Sequence, residues 1–208
     1  MSNKKIVIID QGISNLGSVK RAINNIGFDA IITKKNIEID QSTHIILPGV
    51  GSFNNGMKRL KENEVEKTIK INVLKKKKPI LGICLGMHLL ASYGYENEKT
   101  EGLDLIKGEV KEMKQDKLRL PHMGWNQVEY NDNLLFKGIK NNKDFYFVHR
   151  FEFKAQDVSS IAAYTNYGSR FASAVIKNNI YGVQFHPEKS MKDGFKILEN
   201  FIGINAEN

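Results

Sequence analysis

A single cysteine stands where the sequence favours a nucleophile. Cys84 is the only cysteine among 208 residues, and it lies between Gly82 and Gly86 at the end of a short apolar run. Glycine permits a sharp turn from a strand into a helix, and a helix N-terminus favours the thiolate, the nucleophilic form of cysteine. The pattern predicts a nucleophile at Cys84. The alternative is an inert buried cysteine, because free cysteine is often buried.

A histidine and a carboxylate near the other end of the chain could activate that thiol. His186 ends a β-type run, Pro187 stops the strand, and Glu188 follows. A cysteine nucleophile needs a base to accept its proton, and the base needs a group that orients it. We predict that His186 is the base and Glu188 the orienting group, since catalytic partners meet in the fold and not in the sequence. The alternative is a strand-end histidine bonded to a carbonyl, with Glu188 in solvent.

Further motifs stand in a fixed order along the chain. They are residues 10–18, 48–53 (PGVGSF), 82–86 (GICLG), 121–126 (PHMGWN), 146–149 (YFVH) and 186–190 (HPEKS). Together they resemble the motifs of the class I glutamine amidotransferases. Within that family they are most similar to the glutaminase subunits of imidazole glycerol phosphate synthase, over almost the full length of the chain.

The resemblance implies hydrolysis of the glutamine side-chain amide to glutamate and ammonia. Cys84, His186 and Glu188 would form the catalytic triad. The oxyanion would be stabilised by the backbone N–H of Leu85 and by one from the loop Val50-Gly51, although a plain β-turn is the alternative for that loop. The residues expected near the substrate are Gly51, His88, Arg150 and Phe151. The resemblance implies no cofactor and no metal.

Three departures from the family concern the glutamine pocket and a neighbouring loop. His88 stands where glutamine is usual, Arg150-Phe151 where Ser-Tyr is usual, and Gln11 where tyrosine is usual. They leave two other interpretations open. One is a diverged paralogue that supplies ammonia to another acceptor, such as a surface-sugar amidotransferase. The other is a non-catalytic interaction subunit.

The resemblance also implies a partner protein. Ammonia would pass to a (β/α)8-barrel cyclase subunit, in a heterodimer that makes imidazole glycerol phosphate and aminoimidazole carboxamide ribotide in histidine biosynthesis. Five residues lie in motifs that the family places near the contact: Asn15, His122, Trp125, Tyr146 and Lys189. A core position is the alternative for Trp125. A metal site built from Cys84, His149, His186 and Glu188 is a further alternative for the cluster.

Composition narrows the class of protein. A chain of 208 residues fits one domain, residues 1–208, with a substantial core. The net charge is +8, but 26 of the 31 basic residues are lysine, and the lysine run at 75–78 has no interleaved aromatic residues, so we expect no nucleic-acid binding. No apolar stretch approaches the roughly 20 residues of a membrane helix, and the first apolar run is too short for a signal peptide. One cysteine allows no internal disulfide, which suits the cytoplasm.

The elements that must position these residues change in character along the chain. Strand patterns at 5–10, 30–32, 45–47 and 80–84 alternate with helical patterns at 16–26, 53–60, 64–75 and 85–93. Such alternation predicts parallel βαβ units, whose sites lie beyond the carboxyl ends of strands. From 108 onward the patterns are strands, at 108–113, 127–130, 145–149, 160–165 and 171–176, before a helix at 191–202. We predict an α/β fold with a mixed, mostly parallel central sheet, helices on its faces and antiparallel additions in the second half. The resemblance implies the flavodoxin-like glutamine amidotransferase fold.

Overall fold

Strands and helices alternate in the first half of the chain, as the sequence predicts. The protein is represented by a computed structural model that describes residues 4–12, 15–114 and 118–205. The first four strands are β1 (Ile6–Ile9), β2 (Ala30–Thr33), β3 (His44–Gly49) and β4 (Ile80–Cys84). The helices between and after them are α1 (Leu16–Asn25), α2 (Asn36–Gln41), α3 (Phe53–Glu62), α4 (Val65–Lys70), which continues as a π-helical turn (Ile71–Lys75), and α5 (Leu85–Leu89).

The second half is built mainly from strands. They are β5 (Tyr93–Glu96), β6 (Glu98–Glu101), β7 (Gly108–Glu112), β8 (His122–Tyr130), β9 (Lys143–His149), β10 (Phe151–Ala155), β11 (Ile161–Tyr167), β12 (Ser169–Lys177) and β13 (Ile180–Val183). Short 3-10 turns lie at Leu134–Phe136, Val158–Ser160 and Pro187–Lys189. The chain then forms α6 (Met191–Gly203), which has 13 residues. Within the described ranges, every helix falls short of the length and hydropathy of a membrane span.

The central sheet has nine strands in the order β2-β1-β3-β4-β13-β12-β11-β8-β9. The four pairings from β2 to β13 are parallel, and the four from β13 to β9 are antiparallel. A second sheet has the order β10-β7-β5-β6. The predicted α/β class with antiparallel additions is therefore confirmed, while "mostly parallel" describes only the half of the sheet that runs from β2 to β13.

The parallel half buries both of its faces. Ile6 and Ile8 of β1 belong to one apolar cluster, and Val7 and Ile9 belong to another, because successive side chains point to opposite faces. Helices α1 and α6 contribute to the first cluster, and helices α3, α4 and α5 contribute to the second. A two-sided cover explains why β1 and β4 read as continuous apolar runs and not as alternating ones.

The registers align three strand ends. Gly49 at the end of β3 pairs with Cys84 at the end of β4, and Val183 of β13 pairs with Ile83. Because all three strands are parallel, the segments that follow them emerge at the same edge of the sheet. The glycine loop, the cysteine and the histidine segment are therefore neighbours. Parallel βαβ units predict this for the first two, whereas the parallel pairing of β13 with β4 was not predicted.

Helix α5 is shorter than the sequence predicts. It ends at Leu89 and not at Tyr93, because the carbonyls of Leu90 and Ala91 accept backbone hydrogen bonds from residues 104–106. The chain then forms the β5–β6 hairpin, where Gly94 packs so closely on Phe53 that a Cβ would lie 2.4 Å from the ring. Helix α2 and strands β5, β6 and β10 were not predicted, and β8 begins at His122, before the predicted start at 127.

Candidate active site

The backbone of Cys84 is strained. Cys84 lies between β4 and α5 with φ 54° and ψ −111°, a region that residues with a Cβ rarely occupy. Such strain costs on the order of 1–3 kcal/mol and persists only where the surrounding packing enforces it. The side chain is almost buried, at 7% exposure. The conformation is that of a strand–turn–helix elbow that presents one side chain at the edge of the sheet.

The flanking glycines act through close packing. A Cβ at Gly86 would lie 1.6 Å from the carbonyl oxygen of Leu47 in β3, and one at Gly82 would lie 2.6 Å from the carbonyl oxygen of Gly86. We expected these glycines to make the sharp turn. Instead, Cys84 itself carries the positive φ, and the glycines let α5 approach β3 and β4.

His186 and Glu188 form a buried pair. Nδ1 of His186 lies 2.8 Å from Oε1 of Glu188, and the two side chains are 4% and 3% exposed. A carboxylate only accepts, so Nδ1 carries the donated proton and Nε2 is left to face other groups. In the described residues Nε2 has no hydrogen-bond partner. Glu188 is thus inside the protein and bonded to the ring, which excludes the solvent-exposed alternative.

The pKa of His186 reflects its neighbours. Burial acts to lower this pKa, but the Cys84 thiol and the Glu188 carboxylate outweigh burial and raise it to about 10. The geometry agrees, because Cys84 and His186 follow two paired parallel strands, β4 and β13, whose ends align at one edge of the sheet. A cationic imidazole next to a sulfur favours the thiolate, so the three groups are arranged for proton transfer between Cys84 and His186.

The segment that carries His186 is anchored to β9. The N–H of His186 donates to the carbonyl of Tyr146 at 2.8 Å, and the N–H of Tyr146 donates to Oγ of Ser190 at 3.0 Å. The Ser190 hydroxyl in turn donates to the carbonyl of His186 at 2.7 Å. These bonds fix the histidine backbone against a neighbouring strand, so the position of the ring does not depend on an isolated loop.

Gln184 is a site residue that the sequence patterns did not predict. Its amide Nε2 lies 3.9 Å from Sγ of Cys84, and its Oε1 lies 2.5 Å from Nε2 of His88. The side chain is fully buried. Burial lowers the pKa of His88 to about 4 despite this bond, so the ring is neutral near pH 7. The sequence did contain one signal for Gln184. It stands two residues before His186, and residues two positions apart share one face of an extended chain.

Two further histidines form a buried chain of hydrogen bonds. Nδ1 of His149 donates to the carbonyl of Phe151 at 2.8 Å, and Nε2 of His149 accepts from Nδ1 of His122 at 2.9 Å. The amide of Asn126 donates to Nε2 of His122 at 3.2 Å. Both nitrogens of His149 are therefore occupied, which leaves no lone pair for the metal site considered from the sequence.

The glycine loop after β3 lies close to the triad. Gly51 has φ +93°, a conformation that favours glycine, and Val50 is exposed. Gln11 donates its amide N–H to the carbonyl of Pro48 at 3.1 Å, at the start of this loop. A cavity of about 20 Å³, room for one water, is lined by Pro48, Gly49, Val50, Ile83, His186 and Glu188 together with Asn15, Val19 and Lys189.

The residues predicted to touch substrate differ in setting. Arg150 is exposed and pairs with Glu112 of β7, with 2.6 Å between Nε and Oε1. Phe151 packs against the second apolar cluster. His88 is buried and bonded to Gln184. Gly51 lies in the loop beside the triad, and the substrate roles of all four remain predictions.

The residues predicted to touch a partner lie mostly at the surface. Trp125 is 49% exposed and packs edge-on against Tyr146, so it is not a core aromatic. Lys189 is exposed, with its Nζ 5.5 Å from the centre of the Tyr146 ring. Asn15 is exposed and caps α1. His122 is buried and stacks on aromatic rings, so it lies beneath this surface and not on it.

Comparison with known proteins agrees with this geometry. The family described as "Glutamine amidotransferase class-I" matches residues 7–204. "Imidazole glycerol phosphate synthase subunit HisH 2" of Methanococcus maripaludis is 48% identical over 199 residues, covering 95% of this chain and 98% of the relative. "Imidazole glycerol phosphate synthase subunit HisH 1" of Campylobacter jejuni is 46% identical over 201 residues, covering 96% and 100%.

Among solved structures, PurLQS from Thermotoga maritima has a TM-score of 0.74 at 19% identity, covering 97% of this chain and 98% of that chain. At that identity the likeness concerns the fold alone. The family match, by contrast, spans the strained cysteine, the histidine–carboxylate pair and the strands that bring them together. The chain belongs to the class I glutamine amidotransferase family.

Proposed function

We propose that this chain is the glutaminase subunit of an imidazole glycerol phosphate synthase. It hydrolyses glutamine and passes the ammonia to a (β/α)8-barrel cyclase subunit in histidine biosynthesis. Relatives with that subunit name match it at 46% and 48% identity over nearly their full length. The observation that carries the proposal is the buried cluster in which the strained Cys84 meets the His186–Glu188 pair.

The first half of the reaction uses all three groups. The Cys84 thiolate attacks the side-chain amide carbon of glutamine and forms a tetrahedral intermediate. Protonated His186 gives its proton to the departing nitrogen, and the C–N bond breaks to release ammonia and leave a glutamyl thioester. Glu188 holds the proton on Nδ1 and stabilises the imidazolium, so that Nε2 faces the reacting atoms.

The second half returns the enzyme to its starting state. His186, now neutral, takes a proton from water as the water oxygen attacks the thioester carbonyl. The second tetrahedral intermediate collapses to glutamate, and the sulfur leaves as thiolate. In both halves the developing oxyanion needs donors, for which we propose the backbone N–H of Leu85 and one from Val50 or Gly51.

The remaining predicted residues keep their roles as parts of the proposal. Those that would surround the glutamine are Gly51, His88, Arg150 and Phe151. Those that would face the barrel subunit are Trp125, Tyr146, Lys189 and Asn15, with His122 supporting them from beneath. The compartment that we infer is the cytoplasm, because a nucleophilic thiol must remain reduced.

The test is glutamate release by the complex of this chain with a barrel cyclase subunit. We expect Cys84→Ala to lower that rate by at least about a thousandfold. The same variant complex, supplied with ammonium chloride in place of glutamine, should still form imidazole glycerol phosphate, which controls for assembly. Unchanged glutamate release in Cys84→Ala would refute the proposed nucleophile.

A second function is favoured by the altered positions. His88 bonds to Gln184, and Gln11 bonds to the carbonyl that opens the glycine loop, both at sites where the family usually has other residues. A glutaminase of this kind could supply ammonia to a different acceptor. In that case the chain would hydrolyse glutamine but would neither bind the cyclase nor be accelerated by it. Absence of glutamine binding and of hydrolysis would instead indicate the non-catalytic subunit.

A further inference from the structure

Two groups of opposite character face the sulfur of Cys84. The thiol lies 3.7 Å from the carbonyl oxygen of Val148, and the amide nitrogen of Gln184 lies 3.9 Å from the sulfur. The carbonyl accepts a hydrogen bond from the S–H of the thiol, so it favours the neutral thiol. The amide donates, so it favours the negative form. The balance between thiol and thiolate therefore depends on which end of the Gln184 amide points at the sulfur.

His88 bonds to the other end of this amide. Its Nε2 lies 2.5 Å from Oε1 of Gln184, and an amide oxygen only accepts, so Nε2 carries a proton and donates it. Rotation of the amide by half a turn would bring its NH2 group against this N–H and its oxygen against the sulfur. The second contact is repulsive when the sulfur is charged, and the first is repulsive while the proton is on Nε2 of His88. A charged sulfur therefore selects the pair in which His88 donates to the amide oxygen and the amide NH2 faces the sulfur. The amide is also fully buried, so water cannot compensate for the wrong orientation.

We propose that Gln184 donates a hydrogen bond to the Cys84 thiolate, and that His88 is the positioning residue that orients the Gln184 amide for this purpose. The proposal deepens the glutaminase function and rests on it for the role of the sulfur. It gives His88 a task besides the substrate contact expected from the family position. It also explains how a histidine can replace glutamine there, because both side chains can donate an N–H to the same oxygen.

The titratable groups around the Cys84–Gln184 contact are three histidines and one glutamate. His186 with Glu188 approaches from the segment after β13, His149 from β9, and His88 from α5. His149 is held neutral by burial, which lowers its pKa to about 3. Gln184→Met leaves all of these titratable groups in place, whereas His88→Leu also removes the effect of His88 on the pKa of His149. A change in thiol reactivity that both variants share therefore reports the Gln184–His88 contact.

The test is the pH dependence of Cys84 alkylation by iodoacetamide in the full chain. Because Cys84 is the only cysteine, every alkylated thiol reports this site. We expect Gln184→Met, which keeps the volume but removes the donor, to move the pH midpoint of alkylation upward by about one unit, or about tenfold in rate below that midpoint. His88→Leu should produce the same shift, and His88→Gln should restore the original midpoint.

The double variant Gln184→Met/His88→Leu should show no larger shift than either single variant, because the two residues act as one unit. His44→Gln is the matched control for loss of a buried histidine, since His44 lies at the opposite end of β3 and bonds to the carbonyl of Ile204. It should leave the alkylation profile unchanged. Should Gln184→Met fail to fold, His88→Leu and His88→Gln probe the same contact from its other end.

An unmoved profile in a folded Gln184→Met variant would overturn the proposal. So would an additive double variant, or a failure of His88→Gln to restore the midpoint. Alkylation does not require glutamine. A shifted midpoint in a chain that hydrolyses no glutamine would therefore support the donor contact and refute the glutaminase function, whereas hydrolysis with an unmoved midpoint would do the opposite.

Discussion

Three side chains carry the proposed chemistry, and each is set by its immediate surroundings. Cys84 is held in a strained backbone conformation, and Glu188 fixes the proton of His186 on Nδ1. All three side chains are nearly buried. Because water competes weakly inside the protein, the interactions among them are stronger than they would be at the surface.

At the scale of single residues, Glu188→Gln tests most directly whether the carboxylate orients the His186 ring. An amide of the same shape removes the charge, so the pKa of His186 should fall and the ring should lose its preferred tautomer. We expect glutamate release to fall by about a hundredfold to ten-thousandfold, the usual range for general acid–base catalysis. Titration of histidine-labelled protein by NMR would follow the pKa in parallel.

Glu199→Gln is the matched control, because Glu199 pairs with Lys196 on the exposed part of α6. It should change neither the rate nor the titration of His186. A Glu188→Gln variant with a normal rate would show that the carboxylate has no part in orienting the ring.

At the scale of elements, the approach of α5 to β3 decides the shape of the site. A Cβ at Gly86 would overlap the carbonyl oxygen of Leu47, whereas a Cβ at Gly203, the last residue of α6, would meet nothing within 4 Å. We expect Gly86→Ala to lower the free energy of unfolding by about 3 kcal/mol or more and to reduce activity. Gly203→Ala should change it by less than about 1 kcal/mol. Urea unfolding of both variants measures the difference.

Equal stability of the two variants would mean that the elbow has room that the structure does not show. In that event the strain at Cys84 would have to come from some contact other than the packing of α5 on β3.

The strand pattern of the sequence was enough to predict that the glycine loop and Cys84 meet, but not which contacts support the site. Parallel βαβ patterns predicted that strand ends would align, and Gly49 does pair with Cys84. The end of α5 could not be predicted, because Leu90 and Ala91 continue the apolar pattern while residues 104–106 occupy their carbonyls. The bond between Gln184 and His88 joins residues 96 positions apart. Such long-range contacts leave no local periodicity in the sequence.

At the scale of the whole molecule, all five histidines are buried. Burial lowers the pKa values of four of them to about 4 or, for one, about 3; they are His44, His88, His122 and His149. The pKa of His186 is instead raised to about 10, because Cys84 and Glu188 outweigh its burial. The four histidines and His186 therefore make stability depend on pH in opposite directions.

We expect the melting temperature to be highest near pH 6.5 as far as the histidines determine it. Below that pH the four histidines bind protons in the unfolded chain but stay neutral in the folded chain, so stability falls as the pH drops towards 4. For His88 alone the loss of stability is about 3 kcal/mol. The stabilising effect of protonated His186 is complete below pH 6.5 and is lost as the pH rises towards 10. Thermal melts from about pH 4 to about pH 10 measure the fall in melting temperature on both sides of pH 6.5, the acid limb below it and the alkaline limb above it.

Cys84→Ala provides the control for the alkaline limb. It removes one of the two groups that raise the pKa of His186, so the fall in melting temperature above pH 6.5 should become shallower while the acid limb is unchanged. An acid limb that is absent in the wild-type chain would show that the four buried histidines accept protons without unfolding.

The exposed rings beside the site concern the assembly as a whole. Trp125 and Tyr146 pack edge-on at the surface, and Met123 of the same strand as Trp125 is 63% exposed. Exposed aromatic residues of this kind often dominate the binding energy of an interface. We expect Trp125→Ala to weaken binding of the barrel subunit by about thirtyfold, or about 2 kcal/mol, in a calorimetric titration.

Val158→Ala is the comparison for that titration, because Val158 is 67% exposed on a separate 3-10 turn. It should bind the barrel subunit as the wild-type chain does. If both variants bound normally, the surface around Trp125 would not be part of the interface.

The most direct measurement of the proposed chemistry is rapid acid quenching of the complex during glutamine turnover, followed by mass spectrometry of its peptides. We expect one glutamyl group, held as a thioester on the peptide that contains Cys84, and no such adduct in Cys84→Ala. Turnover of glutamine with that peptide unmodified at every quench time, or with the adduct on another residue, would contradict the assignment of Cys84 as the nucleophile.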